Sequence, residues 1–207
     1  MSPKFFEENG IIKCPGAVPG EKGMINDKMY QAVDRTLLIQ MRDQGADLTC
    51  VCTSPVTDMN SIFYDAISFN QPIGNWDVSN VTSMSGIFYR ASKFNQTIGN
   101  WDVGKVIDIS FMFSNATSFN QPIGNWDVGN AKDMSYMFTS ATSFNQPIGD
   151  WDVSEVTSMY VMFRGAEKFN QDLSSWCVQN IQSEPEDFSL GSVLLDTNKP
   201  VWGTCPD

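Results

Sequence analysis

Apolar residues recur along most of this chain with a period of 25 residues. Trp76–Asn100 reads WDVSNVTSMSGIFYRASKFNQTIGN, and Trp101–Asn125 reads WDVGKVIDISFMFSNATSFNQPIGN. Trp126–Asp150 and Trp151–Ser175 keep the same register. A degenerate copy precedes them at Val51–Asn75, and a last one begins at Trp176. Aligned, the copies give apolar columns: Trp76, Trp101, Trp126, Trp151 and Trp176; Phe63, Phe88, Phe113, Phe138 and Phe163; Phe69, Phe94, Phe119, Phe144 and Phe169. Valine, alanine, isoleucine and methionine columns bring the apolar share to about nine positions per copy. A single copy is too short to bury these side chains, whereas stacked copies bury them against like residues above and below.

Within a copy, Met134, Met137, Phe138 and Ala141 stand at i, i+3, i+4 and i+7, a spacing that predicts a helix of about two turns. The stretch Phe-Asn-Gln-Pro-Ile-Gly-Asn carries proline and glycine, so it predicts a short strand and a turn. Trp-Asp-Val then begins a second extended piece. The expected fold is an α+β repeat solenoid of right-handed, leucine-rich-repeat-like coils, each with short extended segments and a short helix. Residues 1–50 are expected as an N-terminal cap, 51–183 as about five coils, and 184–207 as a C-terminal cap, since an uncapped end would expose apolar side chains and unpaired backbone. In the first cap, Gly10–Cys14 and Met29–Val33 read as paired short strands, and Asp34–Arg42 as a helix with Asp34 at its start. The second cap reads as mostly irregular, with Trp202 over the final coil.

Composition narrows the chemistry. The formal charge is −11, which argues against binding a phosphate backbone. The chain has no histidine, which removes Ser-His-Asp and Cys-His catalysis and histidine-ligated zinc. No constellation of nucleophile, base and orienting group stands out, so a non-enzyme without cofactor or metal is expected. No apolar run has the length of a membrane span, and Met1–Gly10 has no signal-peptide h-region, which leaves a cytosolic protein or a mature or truncated form.

The repeat resembles the 25-residue unit of bacterial surface proteins of the BspA-like leucine-rich-repeat type, carried by WDVSNVTSM…F..A..FNQ.IGN over residues 51 to about 183. The flanks are similar to that family's caps as well, in Tyr30–Leu38 before the array and in Trp176-Cys177-Val178 and Lys199–Pro206 after it. The resemblance implies an extracellular or cell-surface location and a role in adhesion or recognition, with a protein or glycan partner on a host, neighbouring cell or matrix. It supplies no catalytic residues.

The polar columns carry two readings each. Asp77, Asp102, Asp127 and Asp152 stack one per coil, either as turn caps that accept backbone N–H bonds or as a calcium ladder; the column alone supplies too few oxygens for calcium, which favours caps. At both ends of the array the same column holds Cys52 and Cys177. This predicts Cys177–Cys205 and Cys14–Cys52 bridges fastening the caps, with Cys50 free or, alternatively, paired to Cys14. Two bridges imply an oxidising compartment. The Asn70–Asn170 and Gln71–Gln171 columns read as amide ladders along the axis, with the Gln column a possible outer binding face. The tryptophan column reads as core in preference to a sugar-stacking platform. Binding is expected where coils differ from one another: Tyr64, Tyr89, Phe111, Tyr136 and Tyr160 would lie together on the helix-bearing side with Ser and Asn between them. A purely structural spacer is the alternative. Ice or mineral binding is more remote, because the column that would need regular threonine runs Thr82, Ile107, Lys132, Thr157.

Overall fold

The computed structural model describes residues 4–206, so the outermost residues of both expected caps lie outside it. The N-terminal part contains two hairpins. Strands β1 (Phe6–Glu8) and β2 (Ile11–Lys13) pair antiparallel through Asn9-Gly10. Strands β3 (Lys22–Ile25) and β4 (Lys28–Ala32) pair through Asn26-Asp27. Both loop residues have positive φ in each case, at 52° and 81° and at 47° and 61°. That is the geometry of the tight two-residue turn that Asn-Gly and Asn-Asp favour. The expected pairing of Gly10–Cys14 with Met29–Val33 is therefore corrected, because each segment closes locally with its own neighbour. Helix α1 (Arg35–Asp43) follows, its first turn capped by Asp34, which accepts the Leu37 N–H.

Strand β5 (Val51–Cys52) lies parallel to β4 and leads into the repeats. From there successive copies lie side by side and bond to one another through the main chain. Met134, Tyr136, Phe138 and Ser140 donate their N–H groups to Ser158, Tyr160, Met162 and Arg164 of the next coil, at 2.7 to 2.9 Å. Lys132 donates back to Ile107 in the previous coil. The N–H groups between these donors close turns inside the coil instead: Met137 to Met134, Thr139 to Tyr136, and Ala141 to Phe138. Alternate backbone donors thus point along the stack and within the coil.

This division replaces the short helix expected in each copy. In a helix the Phe138 N–H would reach the Met134 carbonyl four residues back; here it goes to Met162. Met134–Met137 and Phe138–Ala141 are consecutive β-turns whose third residues, Tyr136 and Ser140, have φ of 60° and 53°. That is type II geometry. Two such turns bring residues i, i+3, i+4 and i+7 to the inside just as a helix does, so the apolar spacing does not separate the alternatives.

Inside the stack the columns meet ring on ring. Phe88, Phe113 and Phe138 are 5.7 Å apart centroid to centroid, and Phe113 lies 3.9 Å from Phe119 at 8°. Trp76 stacks on Trp101 at 6.4 Å. The indole N–H groups of Trp101, Trp126, Trp151 and Trp176 donate to the carbonyl of an isoleucine of the preceding coil, as from Trp126 to Ile98, and that of Trp76 donates to Leu48. The final coil is covered by the C-terminal segment, where Glu186, Phe188 and Leu190 accept from Val161, Phe163 and Gly165, and Trp202 packs edge-on against Phe188.

One glycine column sets the approach of neighbouring coils. A Cβ on Gly124 would fall 2.5 Å from the Pro147 carbonyl oxygen, and Gly74, Gly99 and Gly149 face the same obstruction at 2.4 to 2.7 Å. In the last copy that place is taken by Ser174. Gly129 is different: its Cβ would meet only aspartate carboxylate oxygens at 3.3 Å and beyond, and serine already fills that column at Ser79 and Ser154. Gly124→Ala is therefore expected to lower stability by about 1–3 kcal/mol, the usual cost of overpacking. Gly129→Ser is expected to change it by less than about 0.5 kcal/mol. Urea denaturation of the two variants side by side checks the contrast.

Candidate functional site

The outward-facing aromatics come from three different columns. Tyr64 and Tyr89 each follow the first phenylalanine of their copy, Phe111 and Tyr136 lie two places after the Ile/Met position, and Tyr160 directly follows Met159. The turns bring them together. Tyr64 stacks on Tyr89 at 4.7 Å and 11°, and Tyr89 meets Phe111 edge-on at 6.2 Å. Phe111 stacks on Tyr136 at 4.4 Å and 7°, and Tyr136 meets Tyr160 edge-on at 5.3 Å. The result is one unbroken ridge of five rings running along the stack. The left-handed backbone of Phe111 and Tyr136, at φ 57° and 60°, turns these side chains outward, an arrangement the neighbouring coils must hold because bulky residues rarely adopt it. Tyr64 is 52% exposed and the other four rings are half-buried. At the far end the Glu186 carboxylate pushes the Tyr160 hydroxyl above its ordinary pKa.

Beside the ridge lies a shallow pit of about 310 Å³ lined by Ser61, Tyr64, Ser85, Gly86, Tyr89 and Phe111. Ser61, Ser85 and Gly86 belong to the columns that vary between coils, but only the aromatic members of those columns were expected as binding residues. The signal was present, since Gly86 is the one glycine in the column Ser61, Gly86, Phe111, Tyr136, Val161, and it leaves a gap where the next two coils carry rings.

The aspartates act within their own turns. Asp77, Asp102, Asp127 and Asp152 accept the N–H groups of Ser79, Gly104, Gly129 and Ser154, each two residues on. Asp77 is buried and also accepts from the Ser54 hydroxyl. Hydrogen bonds from Ser154, side chain first and then backbone, hold the Asp152 carboxyl below its usual range. Among the described residues no group of three or more Asp, Glu, Cys or His side chains is arranged to hold a metal ion.

The amide columns differ in detail from stacked like-on-like amides. Asn120 Oδ1 accepts both the backbone N–H of Asn145 and the side-chain amide of Gln146 in the next coil, and Asn70, Asn95 and Asn145 repeat this. Asparagine thus supplies the acceptor for its successor's backbone and for the side-chain amides of Gln96, Gln121, Gln146 and Gln171, whereas Gln71 donates to Ala46 O. The five tryptophans of the column, Trp76 to Trp176, are buried, so none of them offers an open face.

Disulfides join Cys14 to Cys52 and Cys177 to Cys205, leaving Cys50 free and half-buried. The first ties the β1–β2 hairpin to the start of the stack, and the second ties the chain's end to its last coil. Among the described residues no helix is long and apolar enough to cross a membrane.

The sequence profile of a family described as "Mycoplasma protein of unknown function, DUF285" matches residues 28–141 and, in a second overlapping placement, residues 98–197. The chain belongs to the DUF285 family. The two placements run from β4 through every coil to the turn at Asp196–Asn198. No curated protein and no solved structure matches the chain significantly.

Proposed function

We propose that this DUF285 chain is a right-handed, leucine-rich-type solenoid of the BspA-like kind, displayed outside the cell, which binds a protein or glycan partner without catalysing a reaction. The observation that carries the reading is the ridge. The packed interior is complete without these five rings, yet three unrelated columns contribute them to one continuous line on the outside of the stack. Aromatic side chains supply large contact area at little conformational cost, and they dominate the energetics of recognition surfaces. The two disulfides support an oxidising compartment such as the cell exterior.

The test replaces Tyr89, Phe111 and Tyr136 together with alanine and measures binding to intact cells and to immobilised matrix. Binding is expected to fall at least about tenfold, because each hot-spot aromatic contributes about 2 kcal/mol. The melting temperature is expected to stay within a few degrees. Undiminished binding would remove the ridge from consideration and leave the spacer role as the better reading.

A further inference from the structure

We infer that the pit beside the ridge is a subsite for one ring of a neutral saccharide. This rests on the recognition reading above and narrows it to a ligand class and a place. Three observations lead to it.

The first is what the pit offers for hydrogen bonding. The backbone N–H groups of all six lining residues are already used. Ser61 donates to Ser85 O, Tyr64 to Ser61 O, Gly86 to Ser110 O, Tyr89 to Gly86 O and Phe111 to Ser135 O, while Ser85 donates to Asn60 Oδ1. An extended peptide adding to a sheet edge needs such main-chain donors, and none is free here. What remains are hydroxyls: those of Ser61 and Ser85, the latter 2.8 Å from Ser110 Oγ, and the phenols of Tyr64 and Tyr89. Hydroxyls both donate and accept, which suits a ligand that is itself covered in hydroxyls.

The second is charge. No ionisable carboxylate or ammonium group lines the pit. The nearest charges in sequence, Asp65 and Arg90, pair with each other at 3.4 Å. A neutral ligand fits this better than an anionic or cationic one.

The third is shape. The floor is Gly86, where an added Cβ would find only ordinary contacts, the nearest Ser61 Oγ at 3.5 Å. The walls are the Tyr64–Tyr89 stack on one side and Phe111 on the other. The pit is shallow and open to solvent, and the Phe111–Tyr136 stack bounds it along the ridge. A pyranose with equatorial hydroxyls has a flat C–H face to lay on the tyrosine rings and a rim of hydroxyls for the serines.

Saturation-transfer NMR on the full chain tests this with three probes: cellotetraose, the β-linked N-acetylglucosamine tetrasaccharide, and a proline-rich decapeptide. Transfer is expected to at least one saccharide, concentrated on a single ring. It should drop at least tenfold in Gly86→Tyr, which fills the gap at a position where Phe111 and Tyr136 show that an aromatic is accommodated. Tyr64→Ala, a change at an exposed ring, should weaken it as well and serves if Gly86→Tyr does not fold. Absence of transfer to both saccharides, transfer that survives both substitutions, or transfer to the peptide alone would overturn the inference. The ridge reading would still stand in those cases if the triple alanine variant loses cell binding.

Discussion

Phe113→Ala is expected to destabilise the protein by about 3–5 kcal/mol, the range for emptying a fully buried phenylalanine site. The ring has no exposed surface and meets aromatic neighbours on every side: Phe119 at 3.9 Å, Phe88 and Phe138 at 5.7 Å, and Trp126 at 6.3 Å. The surrounding rings are held by coil-to-coil hydrogen bonds on both sides, so the cavity has little freedom to collapse. Stacked repeats gain stability from their interfaces with nearest neighbours. A vacancy in a central coil weakens two interfaces at once, and unfolding should broaden as the halves separate. Guanidinium denaturation followed by circular dichroism reads both effects. A loss under 1 kcal/mol would mean that the rings do not form a cooperative interior. Tyr64→Ala, on the outside, is the comparison and should cost little.

Removal of the Cys14–Cys52 bridge is expected to have the second largest effect. It closes a loop of 38 residues, for which the chain-entropy account gives about 4 kcal/mol. The variant must lack both cysteines, because a lone Cys14 would be free to pair with Cys50. Cys14→Ala/Cys52→Ala should therefore melt roughly 8–15 °C lower, at 2–4 °C per kcal/mol for a domain of this size. The Ile12 amide, which joins the hairpin to Asn75 at the start of the stack, should lose hydrogen-exchange protection before those of the central coils. An unchanged melting temperature would show that the hairpin is sealed by packing alone, through Phe5, Ile12, Ala17 and Tyr30.

The interior was readable from the sequence because repetition exposes it. Trp126 or Phe138 taken singly is just an apolar residue, but one in every copy at fixed spacing must face its own kind. The placement of Asp127 and its equivalents as turn caps followed from side-chain chemistry, since a short carboxylate reaches an N–H two residues on. The helix over Met134–Ala141 was misread for a physical reason. Its backbone is decided by Ser158, Tyr160 and Met162 in the next coil, which local spacing does not reveal. Positive φ at Tyr136, Phe111 and Val161 goes against the preference of each residue type, so tertiary bonding overrides propensity there. Two features could have been read and were not: Asn9-Gly10 and Asn26-Asp27 are strong signals for tight hairpins, and the run Gly74, Gly99, Gly124, Gly149 marks a close backbone approach. The ridge was only half readable. Its members could be nominated as outward-facing, but their meeting across three columns depends on turn geometry, and the pit depends on the side chain that Gly86 lacks.

The alternation of backbone donors has a consequence for how such a gene can change. Every coil presents to its successor the same row of N–H donors that its predecessor presents to it, so each joint in the stack is interchangeable with the next. Gain or loss of one whole 25-residue unit by unequal recombination would leave both terminal seals and the interior intact. Only the exterior would be reshuffled: a ring that now faces Phe111 would face another neighbour, and the pit would vanish or appear elsewhere. Architecture and ligand preference are thereby uncoupled, and a lineage can revise the second without risking the first.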